Sequence, residues 1–274
     1  MGSSPCDGCA AGCCRKFTVT IGGFDAYRLA TGLALPMADF AELRWGLEPD
    51  GDHRVLLNGK AAPGRRYYRL ALQRVPDPDP AYQVRCIFLL SVGERGRCGV
   101  YGLRPGICRT YPAFLTDGGR VGSADGKFCP PRAWNVESMD VPYFRRELLY
   151  RRRHDLLFDE LVDAWNERLL ATGGEHVERD FFGFLSTVYG ELGRREPSLF
   201  DDGAAGDAQL WPLAELKSAL DRAVRSIGWR TDETLAKAQP QLGRAVAKKA
   251  EEARETSGDA GDISITKLRV ARPT

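Results

Sequence analysis

The sequence has few histidines, no dominant sign of charge and no long apolar run. Its three histidines, His53, His154 and His176, have no cysteine nearby at ligand spacing, so they do not predict a histidine-rich metal site. The net charge of +2 excludes a strongly polycationic nucleic-acid binder and an acidic tail protein. No window approaches about eighteen apolar residues, so we expect no transmembrane helix. The 274 residues, 43% of them hydrophobic, nevertheless suffice to bury a core.

Several motifs of common enzymes and of targeting signals are also absent. The sequence has no Ser-His-Asp order, no HExxH and no P-loop, so it does not support a hydrolase or nucleotidase function. Its start lacks the basic and apolar regions of a secretory signal, and Cys6 stands where the myristoylation pattern needs Ser or Thr. We therefore expect a cytoplasmic protein, in which thiols stay reduced.

The sequence does have eight cysteines, all within its first 129 residues. They are Cys6, Cys9, Cys13, Cys14, Cys86, Cys98, Cys108 and Cys129. Reduced cysteines crowded into one half of a cytoplasmic chain favour metal ligation, although their even number also permits a disulfide framework. All eight are therefore candidate metal ligands.

The first cysteines form a compact unit, Cys6-x2-Cys9-x3-Cys13-Cys14. A C-x2-C turn lets two thiolates face one metal, and Gly8 allows the close backbone approach that such a turn needs. Adjacent side chains diverge in an extended segment, so Cys13 and Cys14 predict either two metal centres or one cluster with an irregular backbone. Four plus four cysteines fit zinc sites, iron–sulfur clusters or one multinuclear site, and spacing does not separate zinc from iron–sulfur.

The chain divides into three predicted parts: a cysteine-cluster metal-binding domain over residues 1–134, a helical domain over 135–230, and a flexible, partly helical tail over 231–274. The first part carries strand patterns over residues 17–21, 55–57 and 67–75 and helix patterns over residues 26–31 and 38–45. We predict an α+β fold: a small, irregular cysteine-rich domain with short strands and helices, followed by a helical C-terminal domain.

The helical part is predicted from apolar side chains that recur at helical spacing and are expected to pack into a core. They are Leu157, Leu161, Trp165 and Leu169; then Phe181, Leu185, Val188, Tyr189 and Leu192; and then Leu213, Leu216, Leu220, Val224 and Ile227. A basic run on the first of these helices comprises Arg145, Arg146, Arg151, Arg152 and Arg153. We interpret this run as a solvated face that pairs with neighbouring carboxylates, so nucleic acid is not an expected partner.

The later cysteines lie in longer motifs. These are Cys86-Ile87-Phe88-Leu89, then Cys98-Gly99-Val100-Tyr101-Gly102-Leu103-Arg104-Pro105-Gly106-Ile107-Cys108-Arg109-Thr110-Tyr111-Pro112, and then Phe128-Cys129-Pro130. Together with the first cysteine unit, they resemble the YkgJ-like cysteine-cluster family of zinc- or iron-chelating proteins, a domain that flagellin lysine-N-methylases also carry. The resemblance covers residues 6–130. It implies that the eight cysteines bind zinc or an iron–sulfur cluster.

Four side chains of the middle motif are candidate second-shell residues of the metal: Tyr101, Arg104, Arg109 and Tyr111. The arginines would either offset the charge of a thiolate-rich centre or hold a rigid proline turn by salt bridges, and both interpretations stay open. The resemblance to the methylases does not imply methylase activity for this chain. No glycine-rich loop after a strand predicts S-adenosylmethionine binding, and the helical part lacks any methylase pattern.

The leading hypothesis is a bacterial metal-binding protein without an assigned reaction. Its expected partner is the metal ion. One alternative is an iron–sulfur redox or protein-modifying enzyme similar to the flagellin methylases. A second is a zinc-stabilised module that presents a surface to an unknown protein partner. Whether the protein is an enzyme is left open at this point.

Overall fold

The computed structural model describes residues 11–45, 54–59, 66–92, 95–124, 129, 139–200 and 212–231. The helices are α1 (Gly12–Lys16), α2 (Gly23–Leu33), α3 (Gly106–Thr110), α4 (Val141–Thr172), α5 (Glu178–Arg195) and α6 (Leu213–Ser226). The strands are β1 (Ala41–Trp45), β2 (Tyr68–Leu72), β3 (Arg74–Pro76), β4 (Val84–Cys86), β5 (Leu89–Val92), β6 (Arg95–Cys98), β7 (Ala113–Leu115) and β8 (Val121–Ser123). Short strands precede long helices, which confirms the predicted α+β class.

The strands form antiparallel two-stranded ladders, which pair β1 with β2, β3 with β4, β5 with β6 and β7 with β8. Isolated ladders of this size are marginal in water, so they depend on packing against the rest of the fold. The register of β3 and β4 places Arg74 opposite Cys86, and that of β5 and β6 places Leu89 opposite Cys98. The ladders therefore fix the positions of cysteines from the second group.

The prediction of a helix over residues 38–45 is wrong, because residues 41–45 form strand β1. Ala41 is buried and Leu43 partly buried, whereas Trp45 is 62% exposed. The partners of this strand on β2 include the buried Leu70, Ala71 and Leu72. Tertiary pairing thus overrides a local helical pattern. The strand predicted over residues 17–21 is a single bridge between Thr20 and Ala71, and the one over residues 67–75 is interrupted between β2 and β3.

The helices follow the predicted periodicity. The side chains of Leu157, Leu161, Trp165 and Leu169 on α4 are all buried. The helix begins at a cap, in which Asp140 accepts a hydrogen bond from the Tyr143 amide at 3.0 Å. Among the described residues, we find no helix with the length and apolar character that a membrane span requires. The predicted tail lies outside the described residues apart from Thr231.

A continuous core joins the strands to the helices. Trp165 on α4 is fully buried and donates its Nε1–H to the Leu56 carbonyl at 2.7 Å. Asn166 accepts the Leu56 amide at 2.9 Å. Gly59 lies so close to Leu169 that an added Cβ would stand 1.9 Å from its carbonyl oxygen, so only glycine fits there. A boundary near residue 134 stays a prediction, but burial links the two segments.

Candidate metal centre

Six of the eight cysteines lie within the described residues, and none of those six forms a disulfide bond. Cys13 and Cys14 lie on α1, Cys86 ends β4, Cys98 ends β6, Cys108 lies on α3 and Cys129 follows β8. Helix α1 packs against β4. Cys6 and Cys9 lie outside the described residues, so the structure does not address their predicted C-x2-C turn.

The thiols of α1, β4, β6 and α3 are close enough for their charges to affect one another. A hydrogen bond with Cys13 raises the pKa of Cys14, and burial and the charges of Cys86 and Cys108 raise it further. Burial raises the pKa of Cys108, and the charges of Cys86, Cys13 and Cys98 add to this effect. The fold therefore brings five of the predicted ligands near one another, which are Cys13, Cys14, Cys86, Cys98 and Cys108. In this thiol cluster Cys86 is buried and the other four cysteines are partly buried.

Cys13 and Cys14 have sulfur atoms 3.9 Å apart. Both lie on α1 rather than in an extended segment, so their side chains do not point to opposite faces. A tetrahedral zinc ion with Zn–S bonds of about 2.3 Å has sulfur ligands about 3.8 Å apart, so this separation fits two ligands of one ion. In the part of the chain that the structure describes, no three Cys, His, Asp or Glu side chains are arranged to hold a metal ion.

Guanidinium groups lie beside the thiol cluster. Burial raises the pKa of Cys98, and the charge of Arg104 opposes that rise. Burial likewise raises the pKa of Cys86, and the charge of Arg74 on the paired strand β3 opposes it. The hydrogen bond from Cys14 lowers the pKa of Cys13 to about 7, with a smaller contribution from Arg104. These cations favour the thiolate, which is the form that binds metals.

The comparison with known families covers this region. Residues 5–130 match the family model CxxCxxCC, whose description is "Putative zinc- or iron-chelating domain". We call this matched segment the CxxCxxCC domain. The match confirms the resemblance seen in the sequence, and it spans all eight cysteines. No curated protein and no solved structure matches the chain.

The candidate second-shell residues of the CxxCxxCC domain have different surroundings. The guanidinium of Arg104 lies 3.8 Å from the centre of the Tyr101 ring, and the Tyr101 side chain is 48% exposed. Tyr111 packs edge to face with Phe17 at 5.6 Å. Burial raises the pKa of Tyr111, and the charges of Cys129 and Cys13 raise it further, so this ring stands near both thiols. Arg104 and Tyr111 are thus close to cysteines, as second-shell roles would require.

Arg109 is directed away from solvent towards helix α4. Its Nη1 lies 3.1 Å from a carboxylate oxygen of Glu147, and their side chains are 12% and 7% exposed. Arg109 directly follows Cys108, so this ion pair attaches the cysteine of α3 to the helical segment. This contact supports the salt-bridge interpretation of Arg109.

Helix α2 also holds the middle motif, which the sequence did not indicate. The buried Asp25 carboxylate accepts the Gly106 amide through both oxygens, at 3.1 and 3.0 Å. Arg28 donates to the carbonyls of Leu103 and Arg104. The sequence does not indicate this role of Asp25, because its partner Gly106 is 81 positions away. No local pattern carries this signal.

Arg74 is a second residue that the sequence did not single out. Its guanidinium donates to the carbonyls of Phe17 and Arg15, and to that of Val84 at 2.8 Å. It therefore ties the end of α1 to β4, which carries Cys86. Its charge also acts on Cys86 and Cys14. Arg74 thus combines a structural link with a cation beside the thiols.

A cavity of about 10 Å³ lies next to α3, between α2 and α4, and its lining includes His154. The His154 ring stacks on Phe24 at 3.8 Å, and its buried Nδ1 has no hydrogen-bond partner among the residues that the structure describes. Burial, followed by the charges of Arg28, Arg109 and Arg153, lowers the pKa of His154 to about 3. Other ionisable groups around it are Asp25, Tyr150, Arg151 and Asp155.

His154 is therefore expected to make the fold sensitive to acid. The folded protein keeps this ring neutral down to a pH near 3, whereas the unfolded chain takes up a proton below its usual pKa of 6.5. The free energy of unfolding should therefore fall as the pH drops between those values. A His154→Phe variant should lose the part of this pH dependence that His154 contributes. Urea midpoints at neutral and mildly acid pH measure it. A His176→Gln variant is the control, and equal slopes for both variants would contradict the prediction.

Proposed function

We propose that the protein is a cytoplasmic zinc-binding protein, whose ligands come from the cysteines of its CxxCxxCC domain. The observation that carries the proposal is the thiol cluster, in which the Cys13 and Cys14 sulfurs are 3.9 Å apart. Soft thiolates suit zinc, and the neighbouring Arg74 and Arg104 offset the negative charge of a four-thiolate ion. The donor atoms are therefore of the chemical type that zinc prefers.

The ligands of this proposal are the eight cysteines, Cys6, Cys9, Cys13, Cys14, Cys86, Cys98, Cys108 and Cys129. The separation of Cys13 and Cys14 suits two thiolates on one metal atom, whereas a four-iron cluster takes one cysteine on each iron, so this distance disfavours a four-iron cluster. Zinc held by four thiolates is redox-inert and stabilises the surrounding fold. We assign no catalysed reaction.

Metal analysis of the full chain tests the identity of the metal. Protein purified without oxygen is expected to be colourless and to contain zinc, with neither iron nor acid-labile sulfide. Elemental analysis, sulfide determination and the visible spectrum measure this. A brown protein with matched iron and sulfide would overturn the zinc assignment and support the iron–sulfur alternative instead.

Serine variants test whether Cys13 and Cys14 share an ion. Cys13→Ser and Cys14→Ser are each expected to lose the same zinc, and the double variant should lose no more than either single one. Zinc stoichiometry per chain measures the loss, with Ser186→Ala on the exposed face of α5 as the control. Additive losses in the double variant would mean that the two thiols serve separate centres.

A further inference from the structure

We propose that Arg15 and Asp77 are positioning residues of the metal centre, whose buried ion pair holds the cysteine-bearing elements together. This inference rests on the proposed zinc-binding function. Arg15 directly follows Cys14 on α1, yet its side chain is only 3% exposed. Its Nε lies 3.0 Å from Oδ2 of Asp77, whose side chain is completely buried.

Arg15 connects its own cysteine-bearing helix to two ladders whose other strands carry cysteines. Its own helix α1 carries Cys13 and Cys14. Asp77 follows β3, whose partner β4 ends at Cys86. A third contact runs from the Arg15 Nη2 to the Ser91 hydroxyl at 3.2 Å, and Ser91 lies on β5, in the ladder that contains Cys98. One guanidinium thus contacts the supports of four thiols.

The acceptor of this ion pair is itself fixed. Oδ1 of Asp77 accepts the Asp79 amide at 3.0 Å, while the Asp77 amide donates to the Gln83 carbonyl at 3.2 Å. The Tyr82 ring covers the guanidinium of Arg15 at 4.6 Å. Because the turn between β3 and β4 holds Asp77 by main-chain contacts, Arg15 cannot shift without disturbing that turn.

The Arg15–Asp77 ion pair is better explained by the positions it fixes than by a contribution to net stability. Removing two charges from water costs about as much as their attraction returns, so buried ion pairs contribute little to net stability. What the pair provides is a directional link between α1 and the two ladders.

Zinc affinity of the full chain tests this role by competition with a chromophoric chelator. Asp77→Asn keeps the shape of the side chain but removes its charge, and we expect a loss of zinc affinity of about tenfold, with partial recovery in Asp77→Glu. The matched control is Glu167→Gln, which breaks the Arg230–Glu167 pair at 2.9 Å, with side chains 14% and 15% exposed. That variant should lose stability but keep the affinity of the wild type.

Asp77→Asn leaves a buried arginine without its charged partner, so the variant could bind zinc weakly only because it unfolds. A second variant excludes that explanation. Combining Arg15→Met with Asp77→Leu fills the same space without charge, so the chain should stay folded but bind zinc more weakly and give a shifted cobalt(II) spectrum. Wild-type affinity in both Asp77→Asn and the double variant would overturn the positioning role. A wild-type chain that binds no zinc would instead contradict the proposed function, and this inference with it.

Discussion

A Trp165→Ala variant is expected to lower the free energy of unfolding by about 3–5 kcal/mol. Trp165 is fully buried at the point where α4 meets the N-terminal segment, and its indole N–H donates to the Leu56 carbonyl. The substitution removes a large apolar surface and this hydrogen bond, and it leaves a cavity that the surrounding helices cannot fill. Because the core is shared, both segments should lose stability together.

Urea titration with two probes measures this effect. Circular dichroism follows the helices, and the reactivity of the buried Cys86 and Cys108 thiols follows the CxxCxxCC domain, so coincident transitions indicate one cooperative unit. Trp45→Ala is the control, because that side chain is 62% exposed and should cost about 0.5 kcal/mol or less. Separate transitions for helix loss and thiol exposure would favour two independent domains divided near residue 134.

The helices were the most predictable part of the fold. The apolar stripe of α4 has a period that only a helix buries on one face, and each of its side chains lies in the core. The segment over residues 38–45 was not predictable in the same way, because its short run fits both helical and strand periods. Its conformation depends on pairing with β2, some thirty positions further along the chain, which a local pattern does not contain.

The sequence predicted which residues form the candidate site, but it did not predict the contacts that hold them in place. The crowding of cysteines and the middle motif predicted a chelating domain, which the family match confirms. The contacts that hold the thiols join residues far apart in sequence, such as Arg15 with Asp77 across 62 positions and Asp25 with Gly106 across 81. Arg15, Asp77 and Asp25 each resemble an ordinary surface charge in the sequence, and Gly106 contributes only its backbone amide, so only the folded chain identifies these pairs.

A Glu147→Ala variant is expected to lower the free energy of unfolding by about 3–5 kcal/mol, because it leaves Arg109 buried without its carboxylate partner. The ion pair joins α4 to α3 at 3.1 Å, and both side chains are nearly excluded from water. Since Arg109 follows Cys108, zinc affinity should fall as well. Urea denaturation and chelator competition measure the two effects. Glu160→Ala, which breaks the half-exposed pair with Lys217, should cost below about 1 kcal/mol.

A double variant separates the two interpretations of Arg109 that the sequence leaves open. Arg109→Leu combined with Glu147→Leu replaces the ion pair by apolar side chains, so it should recover the stability lost in Glu147→Ala. If Arg109 only anchors α3, zinc affinity should recover with the stability. If its charge also offsets the thiolates, affinity should stay low in the double variant although the fold is restored. A Glu147→Ala variant no less stable than Glu160→Ala would contradict the anchoring role altogether.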